Sequence, residues 1–182
     1  MPGGRRGTAL ILFPLLALAI LGGWLLAEHW GQVGYPRRYS ELVEQNAAAF
    51  DLPEALLYAL VRTESGFKPR AVSSADARGL TQITPETFDW LQTKTGETLP
   101  LEALFQEEVS LRYGAFFLRM LLDEFGETPT ALAAYHAGRG AVNGWLRDPA
   151  LSPDGVSLAR IPYPDTERYV EKVMRAMEKY KK

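Results

Sequence analysis

The 182-residue chain contains no cysteine and only two histidines, His29 and His136. Without thiols there are no disulfides, thiolate metal sites or thiol nucleophiles, and the cysteine on which a bacterial lipoprotein anchor is built is missing too. Two histidines cannot form a multi-histidine metal centre, and no zinc motif is present. There is no P-loop and no dinucleotide fingerprint. A serine nucleophile would have no nucleophile elbow and only His136 as a domain base. Charge of one sign is scarce as well: 20 basic against 22 acidic residues give a net −2. Residues 1–27 hold Arg5 and Arg6 and no acid, so the remainder carries 18 against 22, or −4. The basic field that nucleic-acid binding uses is absent. No stretch alternates in the manner of a strand, and no repeat is visible. Nothing calls for a metal or organic cofactor, and carboxylate chemistry is what is left.

What the chain does have is an ordinary globular balance, 47% hydrophobic and 23% charged residues, enough for one domain with a core. Residues 8–27 form an almost wholly apolar run of about 20 residues, sufficient to cross a hydrocarbon core of roughly 30 Å as a helix. The run is longer than the core of a signal peptide, and no small-x-small cleavage site precedes Glu28. An uncleaved signal anchor over residues 1–27 is therefore expected, with residues 28–38 (Gly31, Gly34, Pro36) as a short tether. Arg5 and Arg6 on one side are matched by Arg37 and Arg38 on the other, so charge alone does not orient it.

Residues 39–182 read as an all-α domain of about seven helices. Ser40 is the expected N-cap of the first, and Asp51-Leu52-Pro53-Glu54 gives a capping-box-like start to the second. Helical spacing continues over residues 84–91, 101–125, 128–137, 141–147 and 165–180. The last of these is expected to bury Tyr169, Val170, Val173, Met174 and Met177. Between Gly66 and Ile83 lies an irregular segment with Pro69, Ser73, Ser74 and Gly79, and long loops inside compact domains are usually functional.

The anomaly is Glu64. On the second helix Leu56, Leu57, Leu60 and Val61 make one apolar stripe, and Glu64 falls in its middle. An acid there faces the core or a cleft cut into it, and acids are rarely buried without a partner. One account is an ion pair with Arg62, Arg70 or Arg78. The other is general acid catalysis, because an ordinary glutamate is protonated in roughly one molecule in 500 at pH 7 and burial raises that fraction.

Four motifs then fall in order: Glu64-Ser65, Ser73 through Gly79-Leu80-Thr81-Gln82-Ile83, Ala133-Ala134-Tyr135-His136-Ala137-Gly138, and Tyr169-Val170. Together they resemble lytic transglycosylases of the soluble-transglycosylase type over residues 39–180. The resemblance implies a goose-lysozyme-like helical fold and cleavage of the β-1,4 bond between N-acetylmuramic acid and N-acetylglucosamine in peptidoglycan. It implies one glutamate serving as acid and then base, with a 1,6-anhydro product in place of hydrolysis. Carried over by position, Glu64 is the catalytic residue, Ser65, Ser73, Gln82, Tyr135 and His136 line the substrate site, and Tyr169 supports the cleft from behind. Trp90, Trp145 and Phe88 are further aromatics that could serve as sugar platforms, with core packing the expectation for all three.

Departures accompany the matches. Thr81 stands where the family usually has methionine, His136 where it has asparagine, and Asp165 where it has glutamate. His136 introduces a group that titrates near neutral pH. Two alternatives stay open: a muramidase using Asp76 as a second carboxylate to position water, and a catalytically weak glycan-binding scaffold. The implied partners are peptidoglycan glycan strands and, through the N-terminal helix, the bacterial membrane, with the domain on its extracytoplasmic side. No separate glycan-binding module is visible, so affinity comes from the cleft, the tether or a partner in the cell-wall machinery.

Overall fold

The computed structural model describes residues 21–23 and 34–181. The chain divides into two units, Met1–Pro36 and Arg37–Lys182. In the first, residues 21–23 are helical; the rest of the expected anchor, and the tether up to residue 33, lie outside the described residues. Among the described residues no helix is long and apolar enough to cross a membrane.

The second unit is all-helical. In chain order it holds α1 (Ser40–Ala49), α2 (Glu54–Glu64), α3 (Pro85–Thr95), a 3-10 turn (Leu101–Phe105), α4 (Glu107–Phe125), α5 (Thr128–Ala137), α6 (Arg139–Leu146) and α7 (Pro164–Tyr180). The only β pairing among the described residues is a pair of isolated bridges, Val72 with Arg78 and Arg78 with Ile83.

α2 forms the axis of the domain. Instead of one apolar stripe it buries six consecutive residues, Leu56 through Val61, so the helix is wrapped on every side. At roughly 1.5–3 kcal/mol for each large apolar side chain, this is a principal source of stability. α7 lies along α2 and presents Tyr169, Val173, Ala176 and Tyr180 at helical spacing, all buried. Met174, expected in this core, is half-buried; Ala176 and Tyr180 take its place. Tyr180 stacks on Tyr58 with ring centroids 5.1 Å apart, and Arg37 donates to the Tyr180 carbonyl.

Several helix starts differ from expectation. Tyr39, in the left-handed region at φ 58°, occupies the N-cap of α1, so Ser40 is already helical. Pro53 takes that position for α2, and Asp51 caps nothing there. The expected long helix over 101–125 breaks at Gln106, which is extended at φ −83°, ψ 129°. α6 begins directly after Gly138 instead of at Ala141. α3 does start as its residues predict: Thr84 Oγ1 accepts the Thr87 N–H and Pro85 follows it.

The segment between α2 and α3 is ordered by its own contacts. Phe67, Ala77, Leu80, Thr81 and Ile83 are buried, and Arg78 N–H donates to the Ile83 carbonyl while Gly79 N–H donates to that of Ala71. Gly79 is required: it sits at φ +80°, and a Cβ there would lie 2.0 Å from the Leu104 carbonyl oxygen. The loop is thereby pinned against the approach to α4, and its inner edge is held beside the end of α2.

Candidate active site

Glu64 is the last residue of α2, where the negative end of the helix dipole disfavours an anion. Protein crowds the carboxyl while a partial opening to solvent remains. Tyr169, from α7, donates its hydroxyl hydrogen to Glu64 Oε1 at 2.5 Å. Burial pushes the Glu64 pKa up to about 7, against smaller downward effects of the Tyr169 hydrogen bond and the Lys172 charge. None of the arginines near Glu64 in sequence accounts for its setting; its partner comes from 105 positions away. At neutral pH this carboxyl can give up a proton and take one back.

Two phenols flank it. Tyr135, on α5, donates to the Thr81 carbonyl at 2.8 Å and its ring lies 5.0 Å from that of Phe117. Burial, then the Glu64 charge, hold the Tyr135 pKa well above the ordinary tyrosine value. Tyr169 is raised in the same way, with Glu64 and Tyr135 both contributing after burial. Both phenols therefore keep their protons and act as donors. The His136 ring stacks on Tyr169 at 4.5 Å and 30°, and its Nδ1 lies 3.1 Å from Thr166 Oγ1. Partial burial lowers the His136 pKa, opposed by Asp165, so the ring is mainly neutral at pH 7.

The loop residues divide by role. Ser65 is buried, and its hydroxyl bonds to the Leu80 carbonyl at 2.8 Å, tying the end of α2 to the loop. Gln82 stands at φ +50°, a conformation costing about 1–2 kcal/mol, and its Nε2 donates to the carbonyls of Gly79 (2.9 Å) and Ala71 (3.1 Å). Those two bonds use both amide hydrogens and leave Oε1 as the group with remaining capacity. Ser73 is exposed and accepts the N–H groups of Ala75 and Ala77, which makes it a turn former. Asp76 is exposed, and both of its oxygens are held by Arg78 at 3.0 and 3.1 Å; Arg78 also bonds Glu102 at 3.2 Å. The structure thus brings Glu64, Tyr135, His136 and Tyr169 together, with Ser65 and Gln82 organising the loop beside them. Ser73 and Asp76 are engaged in the turn itself.

Several contributors have no single-residue signature in sequence. Ser110, Gly114 and Phe117 reach the site from α4, and Lys172 acts on Glu64 from α7. The legible traces are the small pair Ser110 and Gly114 one turn apart, and the placement of Lys172 three residues after Tyr169 on one helix face. Of the other aromatics, Phe88 and Trp145 are core residues; Trp90 is half-buried against Phe117.

Known proteins resemble this chain over most of its length. The soluble lytic murein transglycosylase of Escherichia coli (strain K12) is 30% identical over 145 residues, covering 77% of this chain and 22% of that protein. Membrane-bound lytic murein transglycosylase C of Actinobacillus pleuropneumoniae serotype 5b (strain L20) is 32% identical over 167 residues, covering 79% and 46%. The chain thus spans less than half the length of either relative. Among solved structures, an inactive mutant of the lytic transglycosylase Slt from Pseudomonas aeruginosa superposes with a TM-score of 0.71 at 27% identity, over 82% of this chain and 25% of that one. The E. coli 70 kDa soluble lytic transglycosylase, at 24% identity and a TM-score of 0.73, shares the fold over 85% of this chain and 26% of its own. Residues 41–153 match the Transglycosylase SLT domain, and the chain belongs to that family.

Proposed function

We propose that this chain is a peptidoglycan lytic transglycosylase that cleaves the β-1,4 bond between N-acetylmuramic acid and N-acetylglucosamine. The observation that carries the reading is the Glu64 carboxyl, raised to about 7 by burial and held by Tyr169 in a domain of this family. At pH 7 such a group is protonated in about half of the molecules, on the order of 250 times the fraction for an ordinary glutamate. With Oε1 accepting from Tyr169, Oε2 is the oxygen that delivers the proton to the glycosidic oxygen as the bond to the muramoyl C1 breaks. The carboxylate so formed takes the proton of the muramoyl 6-hydroxyl, whose oxygen closes on C1 to give the 1,6-anhydro ring. Glu64 regains its proton and no water is consumed. Tyr169 stabilises the anion between the two steps.

A single carboxylate suffices for this chemistry. The hydrolytic alternative assigned water positioning to Asp76, whose oxygens are engaged by Arg78, which favours the lyase. A scaffold without catalysis would have no use for a carboxyl shifted to neutrality. Gln82 Oε1, Tyr135 and the exposed edge of His136 are the groups we assign to sugar contact; Ser65, and Ser73 at the turn, shape the loop. Residues 8–27 we assign as a single-pass membrane anchor holding the domain on the extracytoplasmic face, in keeping with the apolar run and with relatives named as membrane-bound.

The test is mass spectrometry of muropeptides released from purified peptidoglycan by the protein and by Glu64→Gln. Anhydro-muramoyl ends, lost in the variant, are expected. Hydrated reducing ends would make the enzyme a hydrolase.

A further inference from the structure

Thr81 follows the loop glycine but does not face the cleft. It is wholly buried, and its Oγ1 donates to the Ser110 carbonyl at 2.7 Å. With that proton committed, Ser110 is the donor in the 3.1 Å contact between the two hydroxyls. Ser110 Oγ also accepts the Thr81 N–H at 3.2 Å. The third polar group of Thr81, its carbonyl, accepts the Tyr135 hydroxyl at 2.8 Å. Thr81 is therefore held by Ser110 on one side and holds Tyr135 on the other.

The fit around this link is close. A Cβ on Gly114, one turn after Ser110 on the same face of α4, would lie 2.4 Å from Thr81 Cβ and Cγ2. A Cβ on Gly79 would lie 2.6 Å from Ser110 Oγ. Both glycines leave room for the Thr81–Ser110 pair. The Glu64 charge acts on Tyr135, so the phenol whose hydrogen Thr81 directs is within electrostatic reach of the acid.

We propose that Ser110 is a positioning residue: through Thr81 it fixes the Tyr135 hydroxyl beside Glu64, and Gly114 is the space that this link requires. The inference rests on Glu64 and Tyr135 forming the reaction centre.

The test is a double-mutant cycle in the full chain, using initial rates over a range of peptidoglycan concentrations. Ser110→Ala is expected to lower kcat about tenfold with KM within about twofold, and to add no further loss to Tyr135→Phe, because the group it acts through is already gone. Thr81→Val should reproduce the loss, and Thr81→Ser, which keeps the hydroxyl, should restore most of the rate. Equal losses from Ser110→Ala in both backgrounds, or an unchanged kcat in the folded variant, overturns the proposal. Carbon-13 NMR of ring-labelled tyrosines gives a readout independent of turnover: the Tyr135 Cζ signal should move in Ser110→Ala while that of Tyr180 stays. An unmoved Tyr135 signal also overturns it. Absence of any product from the unmodified chain would count against the transglycosylase reading alone, since the NMR signal still decides the link.

Discussion

Glu64 joins four influences: dense surroundings and the end of a helix dipole favour its neutral form, while one phenol donor and the Lys172 charge temper that preference. Because its folded pKa of about 7 lies above 4.5, folding takes up a proton between these values. Stability from this source is complete below about pH 4.5 and is lost as pH rises through 7. Glu64→Gln removes that dependence. Urea denaturation should find the variant level with the original near pH 4 and more stable at about pH 8, by up to ~3 kcal/mol; no gain at high pH would mean that the carboxyl is not shifted. Tyr169→Phe removes a bond that lowers the Glu64 pKa, so the alkaline limb of the pH–rate profile should move upward while the maximum rate falls. His136→Asn should lack an acid-side inflection that the original shows in its pH–rate profile, since burial moves the imidazole below its ordinary range; profiles of identical shape would remove the idea. The position of Glu64 in an apolar stripe made it legible in sequence. Its hydrogen-bond partner was not legible as such, because the Tyr169 pattern fits a core aromatic equally well and the residue is in fact both.

Among the elements, the loop from Gly66 to Ile83 shows where local sequence signals stop. Its breakers mark it as irregular, and Gly66, Gly96 and Gly126 end their helices as their type predicts. Its inward course depends on distant atoms: the Ser110 hydroxyl, the Leu104 carbonyl and the backbone of Gly114. The break at Gln106 leaves no sequence trace for a related reason, since residues 101–125 keep an apolar helical spacing through the change from 3-10 to α geometry. The helices begin away from the capping patterns at Ser40 and Asp51, with Tyr39 and Pro53 as N-caps and with Tyr39 and Asp51 both at positive φ, which capping patterns do not reveal. Two glycines separate conformational from steric demand. Gly96→Ala meets no atom within 4 Å and only its φ of +73°, so a loss of about 1 kcal/mol is expected. Gly79→Ala adds a 2.0 Å clash and should cost about 2–5 kcal/mol, with activity lost while circular dichroism still reports the helices. Equal melting temperatures for the two variants would contradict the docking of the loop on α4.

For the whole molecule, the pairing of α2 with α7 is the main structural commitment. The all-α class is readable from helical spacing and the lack of strand patterning, and the resemblance over residues 39–180 from four motifs, whereas the family match itself covers residues 41–153 and stops short of α7. Tyr180→Ala would empty the stack on Tyr58, with an expected cost of about 3–5 kcal/mol and a parallel loss of turnover, because the same helix carries Tyr169. A variant that loses stability but keeps its full rate at a permissive temperature would show that α7 need not be seated for the site to work. The hydrogen bond between Glu64 and Tyr169 joins the second helix of the domain to its last. During synthesis Glu64 leaves the ribosome long before Tyr169 does, so a nascent chain that has not yet released α7 holds a carboxyl without its phenol donor, and the lytic activity proposed for the chain would have to await that helix.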